Sequence, residues 1–163
     1  CSPRCSICCV IMKIVELLDP AAVEADIQSV SKNEVLAEMT DVLLRSAQNL
    51  NREDVLSVLL ERERLGSTGI GEGVAIPHGK LKNIDQLILA FGRSRKGVDF
   101  DSMDGKPAHL FFLLLAPEES ISVHLKTLAR ISKLLKDTEV RDRLLMAKSG
   151  EEIYEIIRVE ETT

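Results

Sequence analysis

Residues 110–116 read Leu-Phe-Phe-Leu-Leu-Leu-Ala, seven apolar side chains with no polar position among them. A strand with one wet face alternates polar and apolar residues. A run without alternation is covered on both faces, so this stretch predicts the central strand of a sheet with helices on each side. Pro117 ends it. Residues 74–76 and 87–91 are shorter apolar runs bounded by Gly, Pro or charged residues, and they predict neighbouring strands. The connections leave no room for helical crossovers throughout, so part of the sheet must pair antiparallel. Between the last two strands, residues 94–107 (SRKGVDFDSMDGKP) read as the most exposed loop.

Helical patterns flank this core. Residues 13–23 (KIVELLDPAAV) predict a short helical or turn-like segment broken at Pro20. Ser31 and Glu34 form an S-x-x-E capping box, and Val35, Leu36, Met39, Val42 and Leu43 then share one face, which predicts a helix over about residues 32–48. Asn51 can cap a second helix, with Glu53 and Asp54 at its positive end, Val55, Leu56, Leu59 and Leu60 as its buried stripe, and Gly66 as its stop. Helical spacing returns over residues 120–136 through Leu125, Leu128, Ile131 and Leu135, and again near 138–147. Ser149 and Glu152 repeat the capping box ahead of Ile153, Ile156 and Ile157. The expected fold is α/β, a layered sandwich whose mixed, aliphatic sheet is flanked by about five to six helices.

Composition excludes several functions. Lysine plus arginine number 21 against 26 aspartates and glutamates, no basic run stands out, and tryptophan is absent; neither a nucleic-acid surface nor a base-stacking platform is expected. No apolar run approaches the roughly 20 residues of a membrane span, so the expectation is a cytoplasmic protein without membrane insertion. All four cysteines (Cys1, Cys5, Cys8, Cys9) fall in the first nine residues. Cys5 and Cys8 lack the second ligand pair of a zinc site. The apolar run 7–12 is short for a signal segment and no small-residue cleavage site follows, so residues 1–11 read as a leader or added segment ahead of one domain, 12–163.

Chemistry concentrates in residues 66–80, GSTGIGEGVAIPHGK, which place five glycines and a proline around His78. Nucleotide loops fail on spacing. A Walker loop needs glycine five residues before Gly79 and a hydroxyl after Lys80, where Val74 and Leu81 stand. A dinucleotide fingerprint needs glycine where Val74 or Ile76 stands. What remains is a histidine presented between a rigid proline and a side-chain-free Gly79. A neutral imidazole can attack a phosphoryl group, and glycine-rich backbone can supply N–H donors to the phosphoryl charge.

Residues 61–80, ERERLGSTGIGEGVAIPHGK, together with GKPAHLFFLLLAPEES and HLKTLARISKLL further on, resemble the enzyme IIA domains of the phosphotransferase system, fructose and mannitol type (type 2), above all the nitrogen-regulatory branch. The resemblance covers nearly everything after residue 12. It implies that His78 is the phosphorylated histidine, that His124 is a second active-site histidine holding the phosphoryl group, and that Arg62 balances its charge. Ser67, Thr68 and the backbone at Gly79 are further candidates for phosphate contacts. The implied function is a phosphohistidine carrier that needs no cofactor and no metal, accepts phosphate from an HPr-like protein, and regulates partners such as potassium-transport or sensor-kinase proteins. A sugar-specific enzyme IIA passing phosphate to a IIB cysteine, and a binding module that is not phosphorylated, are the alternatives. His109 is expected to be structural.

Overall fold

The computed structural model describes residues 13–161; the readings of residues 1–11 and of their cysteines lie outside them. In chain order the elements are α1 (Ile14–Leu17), β1 (Leu18–Glu24), α2 (Lys32–Leu44), α3 (Arg52–Arg64), β2 (Gly69–Gly71), β3 (Val74–Ala75), β4 (His78–Leu81), β5 (Ile88–Val98), β6 (Ala108–Pro117), α4 (Ile121–Lys136), α5 (Thr138–Met146) and α6 (Gly150–Glu161). Six strands form one mixed sheet in the order β1-β5-β6-β3-β2, and β4 lies beyond β3 on the same edge of β6.

β6 is the centre, as its unbroken apolar run requires. Every residue from Leu110 to Ala116 is at most 1% exposed, and each such Leu or Phe contributes roughly 1.5–3 kcal/mol of burial. Its antiparallel partner β5 sets Leu89 opposite Leu114 and Phe91 opposite Phe112, whose rings meet edge-on at 4.8 Å. Alternation along β5 divides the helices between two faces. A Cβ at Gly92 would point at Met39 of α2, whereas the next residue, Arg93, reaches the carbonyls of Leu144 and Leu145 in α5.

Four expectations need correction. Residues 18–24 form a strand despite Pro20. β1 is an edge strand parallel to β5, and its register slips between Leu18 and Val23, with the Asp19 carboxylate accepting from the Ala21 N–H; an edge bulge is where a strand tolerates proline. The first half of residues 94–107 is not an exposed loop, because Ser94, Val98, Phe100 and Ser102 are all buried and β5 runs on to Val98. The helix expected over 32–48 ends at Leu44. Finally, α4 buries His124, Thr127, Ile131 and Leu135, while Leu125 is 61% exposed; the histidine takes the inward position that the apolar pattern assigned to leucine. Three more strands, β1, β2 and β4, accompany the three expected ones. The capped starts stand as read: Ser31 accepts from the Glu34 N–H and Asn51 from those of Glu53 and Asp54.

Candidate functional site

His78 owes its position to a break in the chain that runs alongside β6. Val74 and Ala75 pair with Leu110 and Phe111, and His78 to Leu81 pair with residues 114–117 of the same strand. Ile76 and Pro77 interrupt the ladder between them. Proline has no N–H to contribute, although its carbonyl still accepts from the Leu114 N–H at 3.0 Å. The interruption leaves the Ile76 carbonyl to a side chain: it accepts from His78 Nδ1 at 2.8 Å. A carbonyl can only accept, so Nδ1 carries the proton and Nε2 keeps its lone pair.

Two further side chains converge on that ring. Arg62, on the last turn of α3, donates from Nε to His78 Nε2 at 3.3 Å and from Nη1 to the Gly66 carbonyl at 2.9 Å. His124, on the first turn of α4, sets its ring edge-on to His78 with centroids 5.3 Å apart. His124 is buried, and its Nε2 has no hydrogen-bond partner among the described residues. Burial lowers the pKa of His78; the bond to Ile76 opposes this and the Arg62 cation adds to it, with Glu63 acting weakly the other way. Burial, then the charges of His78 and Lys80, push His124 down to about 4. Both rings are therefore neutral near pH 7, and the outer one presents a lone pair.

The remaining candidates are engaged elsewhere. Ser67 donates its hydroxyl to the Phe100 carbonyl at 2.6 Å and accepts from the Gly69 N–H. Thr68 is buried, with its N–H and hydroxyl both donated to the Glu63 carboxylate. Gly79 is buried in the ladder opposite Leu115. Its missing side chain serves packing rather than outside access, because a Cβ there would lie 2.3 Å from Val58 Cγ1 of α3. Gly79→Ala is expected to push α3 from β4, destabilise the protein by about 1–3 kcal/mol and draw Arg62 off His78. Urea unfolding of Gly79→Ala and of Gly79→Ala/Val58→Ala checks this: the double variant should regain most of the loss, and a single variant as stable as wild type refutes it. The expected structural role of His109 is met by a 2.9 Å bond from its Nδ1 to the Ser94 carbonyl.

Two features went unread in the sequence. The Ile76 carbonyl has no side-chain signature. Glu63 had one, since Val55, Leu59 and Glu63 recur every four residues and all three are buried on α3; a carboxylate in register with the apolar stripe marks a buried acid.

The chain is matched over residues 16–159 by the family described as phosphoenolpyruvate-dependent sugar phosphotransferase system, EIIA 2. It is 44% identical over 146 residues to the PTS system fructose-specific EIIABC component of Bacillus subtilis, spanning 90% of this chain and 23% of that protein. It is 40% identical over 152 residues to the nitrogen regulatory protein of Bradyrhizobium diazoefficiens, spanning 93% of this chain and 99% of that one. The crystal structure of nitrogen regulatory protein IIA-Ntr from Neisseria meningitidis superposes with a TM-score of 0.83 at 38% identity, covering 88% of this chain and 98% of that one.

Proposed function

The chain belongs to the EIIA 2 family of the phosphoenolpyruvate-dependent sugar phosphotransferase system, and from that membership we propose that it is a phosphohistidine carrier of the nitrogen-regulatory kind. It accepts a phosphoryl group on His78 from an HPr-like carrier protein in the cytoplasm, and its phosphorylation state governs its binding to regulatory partners such as potassium-transport or sensor-kinase proteins. The observation that carries this reading is the fixed tautomer: the Nδ1–H bond to Ile76 leaves Nε2 as a nucleophile beside the Arg62 cation, with the buried His124 ring edge-on to the same imidazole.

The step follows from that geometry. The Nε2 lone pair forms a new P–N bond as the donor's P–N bond breaks, its electrons returning to the donor ring nitrogen. When each ring keeps its own N–H, the two imidazoles exchange roles and no proton moves between them. The Ile76 carbonyl supports the positive charge that phosphorylation places on the His78 ring. Arg62 turns its guanidinium N–H groups to the phosphoryl oxygens. His124, with its proton on Nε2, donates to another, which supplies the partner that this buried nitrogen lacks. The phosphoryl group's nearly two negative charges, offset in part by the positive charge on the ring, change the surface that partners meet.

Incubation with phosphoenolpyruvate, enzyme I and an HPr-like carrier should raise the intact mass by one phosphoryl group in the wild type and leave His78→Ala unchanged. An unmodified wild type, under conditions that charge the carrier, excludes phosphotransfer and leaves a module that works by docking alone. The identity to the fructose-specific relative favours a second reading, transfer onward to a IIB cysteine. Rapid discharge of the phosphorylated protein by an isolated fructose IIB domain would select it over the regulatory one.

A further inference from the structure

Arg62 stands between two carboxylates in the sequence, Glu61 and Glu63, and among the described residues it forms an ion pair with neither. Glu61 is taken at the surface by Arg64 Nη1, at 2.8 Å. Glu63 is taken by Lys32 Nζ at 2.9 Å, in a pair mostly withdrawn from water, with side-chain exposures of 5% for Glu63 and 19% for Lys32. Lys32 is the first residue of α2. Its ammonium also lies 5.0 Å over the Phe100 ring and 3.6 Å from Asp101.

Helix capping does not account for this pair. A carboxylate at the C-terminal turn of α3 and an ammonium at the first residue of α2 both oppose their helix dipoles. The pair instead bears on the loop that holds Arg62. Arg62 and Glu63 close over overlapping stretches of one loop: Arg62 Nη1 donates to the Gly66 carbonyl and Glu63 Oε1 accepts from the Thr68 N–H. The Glu63 charge is also felt at His78, where it acts against that of Arg62. A buried carboxylate left without its cation draws in the next one available. Here that cation is Arg62, which among the described residues is held by two neutral acceptors.

We propose that Lys32 is a positioning residue for phosphoryl transfer: by neutralising Glu63 it keeps the Arg62 guanidinium on His78 and available to the phosphoryl group. The proposal rests on the carrier reading, but its first consequence precedes any phosphorylation. In Lys32→Gln the freed carboxylate draws Arg62 away from His78. The His78 pKa, followed by 15N NMR titration of the unphosphorylated protein, should then rise by roughly half a unit to one unit. His124, the titratable ring packed against His78, is untouched by the substitution. Single-turnover transfer from a phosphorylated HPr-like carrier should slow by about tenfold. Lys32→Arg keeps the pair and should behave as wild type in both measurements.

The decisive comparison is made in the Glu63→Gln background. There no carboxylate competes for Arg62, so adding Lys32→Gln should change neither the His78 pKa nor the transfer rate. If Lys32 matters only for folding, the second substitution lowers the rate in either background while the pKa of the folded fraction stays at the wild-type value, and the proposal falls. It falls equally if Lys32→Gln alone matches wild type in both readouts. A wild type that accepts no phosphoryl group would overturn the carrier reading, while the NMR titration would still decide the role of Lys32.

Discussion

Arg62→Lys should slow phosphoryl transfer to His78 by about a hundredfold or more, the scale on which removal of one preorganised donor to a developing anion is felt. The guanidinium performs two tasks from one rigid plane: Nε meets His78 Nε2 while Nη1 is anchored on the Gly66 carbonyl. When Nε2 takes the phosphoryl group, the same fork can turn its N–H groups to the phosphoryl oxygens without giving up the anchor. A lysine ammonium is a single point charge on a flexible stem and cannot hold both positions. The loss should appear in the single-turnover rate, measured by rapid quench with a labelled donor carrier, more than in the apparent affinity for that carrier. Stability should change little, since Arg62 is half-buried and forms no ion pair among the described residues. A rate within threefold of wild type would remove Arg62 from the transfer step.

The legibility of this site in the sequence follows the range of the interactions that build it. Local features read correctly because they are short-range: the N-caps at Ser31 and Asn51, and the apolar run of β6 with its coverage on both faces. Features made by distant chain segments did not. Arg93, one residue ahead of the stretch expected to be an exposed loop, carries no local sign of burial, yet it is fully buried and donates to the carbonyls of Ala25, Leu144, Leu145 and Ala147. Those acceptors include the last turn of α5, where the helix dipole favours a cation, and they lie more than fifty residues from it in the chain. The same holds for Leu125 and His124. Helical spacing places both near the inward side of α4, and only the presence of His78 across the gap decides that the polar one turns in. Pro20 misled for a related reason, since its tolerance in β1 depends on that strand being an edge, which no local pattern states.

The inward turn of His124 sets a pH dependence. Its pKa in the folded protein, about 4, lies below the ordinary histidine value because burial, then the charges of His78 and Lys80, disfavour the imidazolium. In the unfolded chain the group titrates near 6.5. Between these values the unfolded state binds the extra proton, so stability rises with pH across the window; the contribution is complete above about 6.5 and is lost as pH falls toward 4. The loss attributable to this one ring is roughly 2–3 kcal/mol. Denaturant unfolding at a series of pH values, compared between wild type and His124→Gln, isolates it, and two parallel profiles would refute it. Phosphorylation should weaken the dependence. A phosphoryl group on His78 Nε2 sets an anion beside His124 and raises its pKa toward the unfolded value, so the phosphorylated form should lose less stability between about pH 7 and 5.5 than the unmodified one. Equal losses in the two forms would mean that His124 does not face the phosphoryl group, and its buried, unpartnered nitrogen would then need a different acceptor.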